Sequence, residues 1–147
     1  MKVGNKVVLA AFVAMTFLSG CASVPMASKE MDASAKQFTA PVDKSKIYVF
    51  RNETLGAALK MPVTLDGKAI GDTGSKTYFM LEVTPGTHVL TSQGNESTLT
   101  VEAEAGKTYY VWQEVKMGMM SGGSKLQLVS EDKGQAGVKE SKLAVTK

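Results

Sequence analysis

The sequence predicts an all-β fold, arranged as a small antiparallel β-sandwich or a partly open barrel. Two observations carry this prediction. Short runs rich in β-branched and aromatic residues recur at intervals of about 8–12 residues, and turns rich in glycine separate them. Short strands with this spacing are typical of small antiparallel β domains.

The strands follow from local composition. The run 47–51 is dense in β-branched and aromatic residues and predicts the first strand. Asp66-Gly67 lies between the runs 61–65 and 68–72, and this dipeptide favours a tight type I′ hairpin turn. Together the β-rich runs predict one domain over 46–131. The other predicted strands cover 76–83, 87–93, 97–104, 108–116 and 125–129.

Residues 1–20 have the form of a secretory leader. Lys2 and Lys6 give the segment a basic start, and an almost wholly apolar run follows over 7–18. A membrane-spanning helix needs about 20 apolar residues, so this run is too short to be a transmembrane anchor. We therefore expect a signal peptide over 1–20 that is removed on export.

The one cysteine of the chain, Cys21, follows Leu18-Ser19-Gly20. This order matches the lipobox of bacterial lipoproteins, in which the leader is cut before the cysteine and the thiol then carries lipid. Two or three acyl chains, palmitate among them, hold a protein firmly at a membrane. An ordinary cut that leaves a free thiol is the alternative. Ala22 replaces the Asp that tends to retain a lipoprotein in the inner membrane, so we expect an outer-membrane lipoprotein that faces the periplasm.

Both flanks of the β domain are predicted to lie outside it. Residues 21–45 form the lipidated cysteine and a flexible tether, because the segment is rich in Ala, Ser and Lys and has no sustained period. A coil of this length spans about 25–30 Å on average. Residues 132–147 are rich in Ala, Lys and Glu and are predicted to be a loose tail or a short helix.

Charge and cysteine content exclude several classes of function. The chain has 17 basic and 14 acidic residues. Since Lys2 and Lys6 leave with the leader, 15 basic residues then oppose the same 14 acidic ones. Such a balance provides no basic patch for nucleic acid. With Cys21 lipidated, no thiol remains for a disulfide or for a thiolate metal site.

The order of the turns resembles a known family. The segments 63–71 (VTLDGKAIG), 84–88 (TPGTH) and 105–110 (AGKTYY) are similar to an uncharacterised family of small bacterial lipoproteins that carry one domain of unknown function. The same spacing resembles the PEGA-type β-sandwich modules of bacterial surface proteins. The resemblance covers about 46–130. It implies a small transthyretin-like sandwich and a non-catalytic module, and it brings no site residues.

His88 is the only histidine of the chain. A metal site needs several ligands, and a catalytic triad needs a nucleophile and an acid in geometry. The sequence supplies no such partner. We expect a residue at the start of a strand whose ring caps the turn or faces water. A pH-sensing role is conceivable because an unperturbed imidazole titrates near pH 6.5. No catalytic residue, metal site or cofactor is predicted.

Three methionines, Met117, Met119 and Met120, cluster around Gly118, with Gly122-Gly123 close behind. The favoured interpretation is a flexible hairpin tip with at most a packing role. The second is an adaptable contact surface for a partner or for lipid. The third is a weak candidate site for Cu(I), because thioethers are soft ligands.

Tyr110 and Trp112 share one face of their predicted strand. If that face is solvated, the two rings form a ligand platform for sugars or peptides. If it packs inward, as large aromatic side chains usually do, they belong to the core. Burial of Trp112 is the favoured interpretation.

These observations predict a lipid-anchored cell-envelope protein that acts as a non-enzymatic structural or interaction module. Its expected partners are the membrane, through acyl chains on Cys21, and an envelope protein or peptidoglycan. The alternative is a periplasmic ligand-binding lipoprotein for a sugar, a peptide or Cu(I). An enzyme ranks third, because no set of acid, base and nucleophile is recognisable.

Overall fold

The computed structural model describes residues 23–94, 97–118 and 122–147. Nine strands and two short helices follow one another along these ranges. The helices are α1 (Lys29–Ala35) and α2 (Glu131–Lys139). The strands are β1 (Ser45–Arg51), β2 (Met61–Leu65), β3 (Lys68–Thr73), β4 (Thr77–Val83), β5 (Gly86–Thr91), β6 (Thr98–Ala103), β7 (Thr108–Met117), β8 (Gly122–Val129) and β9 (Lys142–Leu143).

The strands form two sheets that pack face to face. One sheet has the order β8-β7-β1-β4-β9, and the other has the order β3-β2-β5-β6. Neighbouring strands are antiparallel, except that β1 runs parallel to β7 and β4 runs parallel to β9. The predicted all-β sandwich is therefore confirmed.

Strand β1 shows why the protein has two apolar layers. Successive side chains of a strand point to opposite faces of the sheet. Ile47 and Val49 lie in the core between the two sheets, whereas Tyr48 and Phe50 lie in a second apolar cluster that the helices cover. A strand buried on both faces reads as a continuous apolar run, which is the pattern of 47–50 in the sequence.

The predicted hairpin turn joins β2 to β3. Asp66 has φ 51° and Gly67 has φ 80°. A type I′ turn requires positive φ at both central residues, which Asp and Gly tolerate well. The prediction for Asp66-Gly67 is confirmed, and this turn places the Asp66 carboxylate beside β5.

The predicted flexible tether over 21–45 is wrong for the part that the structure describes. Ser28 caps α1, and its hydroxyl accepts the Met31 N–H at 3.2 Å. Val24 is 9% exposed and lies in the core between the sheets. Composition suggested a coil, but contacts with distant parts of the chain stabilise these residues, and local sequence does not reveal such contacts.

Asp32 provides the main polar attachment of α1 to the sheet. Its Oδ1 accepts hydrogen bonds from the Tyr78 hydroxyl at 2.7 Å and from the Leu143 N–H at 3.0 Å. Its Oδ2 accepts one from Lys36 at 2.9 Å. The Tyr48 hydroxyl donates to the Ala35 carbonyl at 2.6 Å. α1 is therefore part of the folded domain.

The C-terminal segment folds back onto the same sheet. α2 begins after Ser130, whose hydroxyl accepts the Lys133 N–H, so of the two alternatives for the tail, a loose segment and a short helix, the structure has the helix. The tail then adds β9 to the edge of β4. The folded unit thus extends beyond the predicted limits of 46–131 on both sides.

Candidate functional site

The Tyr110 and Trp112 face of β7 lies beneath α2 and does not form an open platform. Tyr110 is 2% exposed, and its ring stacks on Tyr48 with 5.4 Å between centroids. Trp112 is half-buried, and the Lys133 ammonium lies 4.1 Å from its ring centroid. α2 can approach so closely because Gly134 has no side chain: a β-carbon there would be 2.2 Å from Tyr110. The favoured interpretation, burial of Trp112, therefore holds only in part, whereas Tyr110 of the same face is buried.

His88 caps a turn, as predicted, and it also pairs with an acid. Its Nδ1 lies 2.6 Å from Asp66 Oδ2, and its Nε2 lies 2.6 Å from the Thr84 carbonyl oxygen. The other carboxylate oxygen of Asp66 accepts the Val89 N–H at 2.8 Å. Since both ring nitrogens face acceptors, only the doubly protonated imidazolium can donate to both.

The pKa values of this pair follow from its contacts. Partial burial alone would lower the pKa of His88, but the hydrogen bonds to Asp66 and Thr84 outweigh it and raise the pKa above its usual value. The Val89 N–H and the His88 ring lower the pKa of Asp66. The pair is thus a charged link between the β2–β3 and β4–β5 turns.

At the opposite end of the sandwich, large apolar side chains are exposed. We call this end the loop end and define it as residues 52–60 together with 116–118. Met117 is 58% exposed and Leu55 is 55% exposed. The loop rests on β7, since a β-carbon added at Gly56 would lie 3.2 Å from Val115 Cγ1 and 3.5 Å from Met117 Sδ. The loop end therefore presents apolar groups on a supported surface.

Arg51 organises this loop from beneath. Its side chain is buried, with 0% exposure. One terminal nitrogen donates to the Leu59 carbonyl at 2.7 Å, and the other donates to the Gly56 carbonyl at 2.6 Å. Burial lowers the pKa of Arg51, and the nearby Glu53 charge opposes that effect. The sequence analysis did not single out Arg51, because arginine side chains are mostly exposed and a charge at the end of an apolar strand run ordinarily marks the exposed end of the strand.

The described surface also has concavities, and two of them adjoin the helices or the turns that flank them. The larger, of about 450 Å³, is lined by Phe38 to Ala40, Gly106 to Thr108 and Glu131. The smaller, of about 110 Å³, lies beside α1 and β9. Across the described ranges, no three or more His, Cys, Asp or Glu side chains are grouped so as to hold a metal ion. None of the helices in those ranges is both long and apolar enough to cross a bilayer.

Several predicted residues lie outside the described ranges. These are Cys21, the predicted lipidation site, and Met119 and Met120, two of the three weak Cu(I) candidates. The third candidate, Met117, is exposed at the end of β7. Lipidation and copper binding therefore stay predictions.

The fold and surface define a small two-sheet β-sandwich whose outer face is covered by helices. The family described as a protein of unknown function, DUF2846, matches residues 41–124, and the chain belongs to this family. An uncharacterised protein of Haemophilus influenzae is 36% identical over 132 residues, which cover 88% of this chain and 79% of that protein. No solved structure matches the chain. The predicted resemblance to a family with a domain of unknown function is confirmed, and its lipoprotein and PEGA-type aspects stay predictions.

Proposed function

We propose that this protein is a lipid-anchored module of the cell envelope that acts by contact and not by catalysis. The observation that carries the proposal is the loop end, where Leu55 and Met117 are both more than half exposed above the buried guanidinium of Arg51. An exposed apolar patch on a fixed support is typical of an interaction surface. Methionine adds adaptability, because its thioether side chain adjusts to different partner shapes.

The anchor in this proposal is Cys21. The support comes from the leader over 1–20 and from the lipobox order Leu18-Ser19-Gly20-Cys21. Ala22 favours the outer membrane, with the domain in the periplasm. The partner at the loop end is an envelope protein or peptidoglycan.

The charged pairs of the described residues support a structural role over an enzymatic one. Both ring nitrogens of His88 and both carboxylate oxygens of Asp66 are engaged in holding turns together. Asp32 is likewise engaged in attaching α1 to the sheet. A general acid or base must have a proton position that faces a reacting group. The nitrogens of His88 and the carboxylate oxygens of Asp66 and Asp32 already form hydrogen bonds within the fold.

A second candidate, binding of a sugar or peptide, draws on the larger concavity. Its volume of about 450 Å³ falls within the usual range of about 300–1,000 Å³ for ligand sites. Phe38 supplies an apolar wall, and Lys107 and Glu131 supply charges of both signs. Titration with muropeptides and oligosaccharides tests it. A Cu(I) titration of wild type and of Met117→Leu tests the copper alternative.

The anchor is tested by mass spectrometry of the N-terminal peptide from the membrane-extracted protein. We expect a peptide that begins at Cys21 and carries acyl chains, and a Cys21→Ser protein that is no longer extracted with membranes. An intact leader or a bare sulfhydryl at Cys21 contradicts the proposal.

The contact surface is tested by site-specific photocrosslinking in intact cells. The crosslinking residue replaces Leu55 or Met117 in two proteins, and Leu128 in a matched control, because Leu128 is 52% exposed but lies on β8. We expect adducts of discrete mass from the loop-end positions and none from 128. Equal crosslinking at all three positions contradicts a contact surface at the loop end.

A further inference from the structure

The chain is fixed in the fold almost from the first described residue. Val24 is buried between the sheets. Pro25 accepts the Val145 N–H at 2.9 Å, and Ala27 donates its N–H to the Leu143 carbonyl at 2.9 Å. Met26 forms an antiparallel bridge with Ala144. The chain after Ser23 therefore has no freedom to act as a tether.

The link to the lipid site is consequently short. Two residues, Ala22 and Ser23, separate Cys21 from Val24, so the link has three residue steps, and a fully extended chain spans at most about 3.3–3.6 Å per step. Val24 therefore lies within about 10–11 Å of Cys21, the proposed site of lipidation. A coil over all of 21–45 would have allowed two to three times that distance.

Strand registers show which end of the sandwich faces this link. β9 runs parallel to β4, with Thr77 opposite Lys142 and Tyr78 opposite Leu143. The segment 24–27 runs antiparallel to β9, so going back towards Ser23 the chain approaches the end of β4 at Val83. We call this end of the sandwich the anchor end. It also carries the turns 39–44, 84–85 and 104–107.

We propose that the anchor end rests on the lipid bilayer and that the domain stands on the membrane with the loop end pointing away. This inference rests on the proposed lipidation of Cys21. Val42 suits such a contact, because it is an apolar side chain that is 90% exposed at the anchor end. Lys44 and Lys107 lie in the same turns, and lysines at such a boundary keep their ammonium groups in the headgroup layer while their stems cover apolar surface.

The height of the loop end follows from β7. Lys46, at the anchor end of β1, pairs with Thr108, and β7 continues from there to Met117. Nine steps of about 3.3 Å place Met117 about 30 Å above Thr108. Leu128 pairs with Val111, so it lies only about 10 Å above Thr108. The partner surface thus faces away from the anchoring membrane.

The test places one thiol-reactive fluorophore at three heights on the full, acylated protein. The variants are Val42→Cys, Leu128→Cys and Met117→Cys, each labelled after Cys21 has been blocked by lipid. Each protein is incorporated into phosphatidylethanolamine–phosphatidylglycerol vesicles with a nitroxide quencher on a lipid headgroup. We expect loss of most of the fluorescence at 42, a smaller loss at 128 and no loss at 117.

A second set carries a twelve-residue Gly-Ser insertion after Ala22, which spans about 17–21 Å as a coil. The insertion keeps the anchor and should remove the differences between the three positions. Equal quenching at 42 and 117 without the insertion overturns the standing orientation, while flotation of the same sample with the vesicles leaves the anchor intact. A protein that does not float with the vesicles overturns both the anchor and the orientation.

Discussion

The imidazole of His88 and the carboxylate of Asp66 join two turns that are far apart in sequence, with Nδ1 and Oδ2 separated by 2.6 Å. The Thr84 carbonyl holds the other ring nitrogen at 2.6 Å. The His88 side chain is only 11% exposed, against 47% for Asp66, so the histidine is the more shielded member of the pair, and its hydrogen bonds to Asp66 and Thr84 outweigh that burial and raise its pKa. Because Thr84 belongs to a turn of the anchor end, the protonation of His88 affects the contacts of that turn.

We predict a pKa above 6.5 for His88, and a lower value in Asp66→Asn, which removes the acceptor charge. Because the folded-state pKa is raised, the stabilisation is fully present below the unfolded value near 6.5 and is lost as pH rises through the folded value. Proton NMR reads this directly, since the chain has a single histidine. A midpoint at or below 6.5 contradicts the prediction.

The same contacts predict how stability varies with pH. Between pH 6 and 9, denaturant unfolding of the wild type should show a decline that His88→Gln lacks, because glutamine does not titrate. The Asp66 side acts in the other direction: its lowered pKa gives stability that is present above about pH 4 and is lost as pH falls through the folded value. A parallel decline in His88→Gln between pH 6 and 9 would assign the effect to other groups.

Two glycines of α2 allow it to pack against the sheet. A β-carbon at Gly137 would lie 2.1 Å from Phe50, and one at Gly134 would lie 2.2 Å from Tyr110. Gly→Ala in a helix should gain about 1 kcal/mol from propensity, but overpacking costs about 1–3 kcal/mol. We predict that Gly137→Ala lowers the free energy of unfolding despite the better helix former.

The matched control is Ala136→Gly, on the exposed side of the same helix. It should lose about 0.5–1 kcal/mol through propensity alone and leave the near-ultraviolet circular dichroism of the tyrosines unchanged. Gly137→Ala should change that spectrum, because α2 must move away from Phe50. A more stable Gly137→Ala protein with an unchanged spectrum would contradict close packing of α2.

Arg51 connects the core to the proposed contact surface. Arg51→Met removes the donors for the Leu59 and Gly56 carbonyls, so we expect faster hydrogen exchange in residues 53–60 and weaker crosslinking at 55. Arg51→Lys should give an intermediate effect, because one ammonium cannot reproduce the fork of a guanidinium. Exchange in β5 serves as the internal control. Unchanged exchange in 53–60 of Arg51→Met would contradict the role of Arg51.

The sequence was sufficient for features that depend on near neighbours. The strand limits follow from β-branched runs, and the turn at Asp66-Gly67 follows from the φ values that Asp and Gly accept. It was insufficient where distant residues decide the outcome. The helix Lys29–Ala35 is held against the sheet because Asp32 accepts hydrogen bonds from Tyr78 and Leu143. Gly134 covers Tyr110 only because α2 returns to the sheet.

Of the candidate site, only part was accessible from local pattern. The run of methionines and glycines that begins at Met117 is visible in the sequence, and it pointed to the part of the chain where the structure places the exposed Met117 side chain. The supporting role of Arg51 could not be predicted from the sequence, since its acceptors are the backbone carbonyls of Gly56 and Leu59, which leave no trace in side-chain composition. The Asp66 partner of His88 was equally hidden, because the two lie 22 positions apart.

The last prediction concerns the N-terminal boundary of the folded unit. A chain that begins at residue 46 loses α1 and Val24, although it keeps every strand of the predicted domain. The Tyr48 hydroxyl then loses the Ala35 carbonyl, and the Tyr78 hydroxyl loses Asp32. Removal of α1 opens both hydroxyls to water, so each lost hydrogen bond costs about 0.5–1.5 kcal/mol. Loss of the buried Val24 side chain costs about 1.5–3 kcal/mol more, so we expect the shortened chain to be at least about 2 kcal/mol less stable than residues 23–147.

Denaturant unfolding of the two chains measures this difference. Asp32→Ala in the longer chain is the intermediate case, because it removes the attachment of α1 but keeps Val24 in the core. Stability should fall in the order 23–147, Asp32→Ala, 46–147. If 46–147 unfolds at the same denaturant concentration as 23–147, then α1 and Val24 add nothing to the fold. The chain could in that case be free from Cys21 to Ser45, and the short link to the membrane would lose its basis.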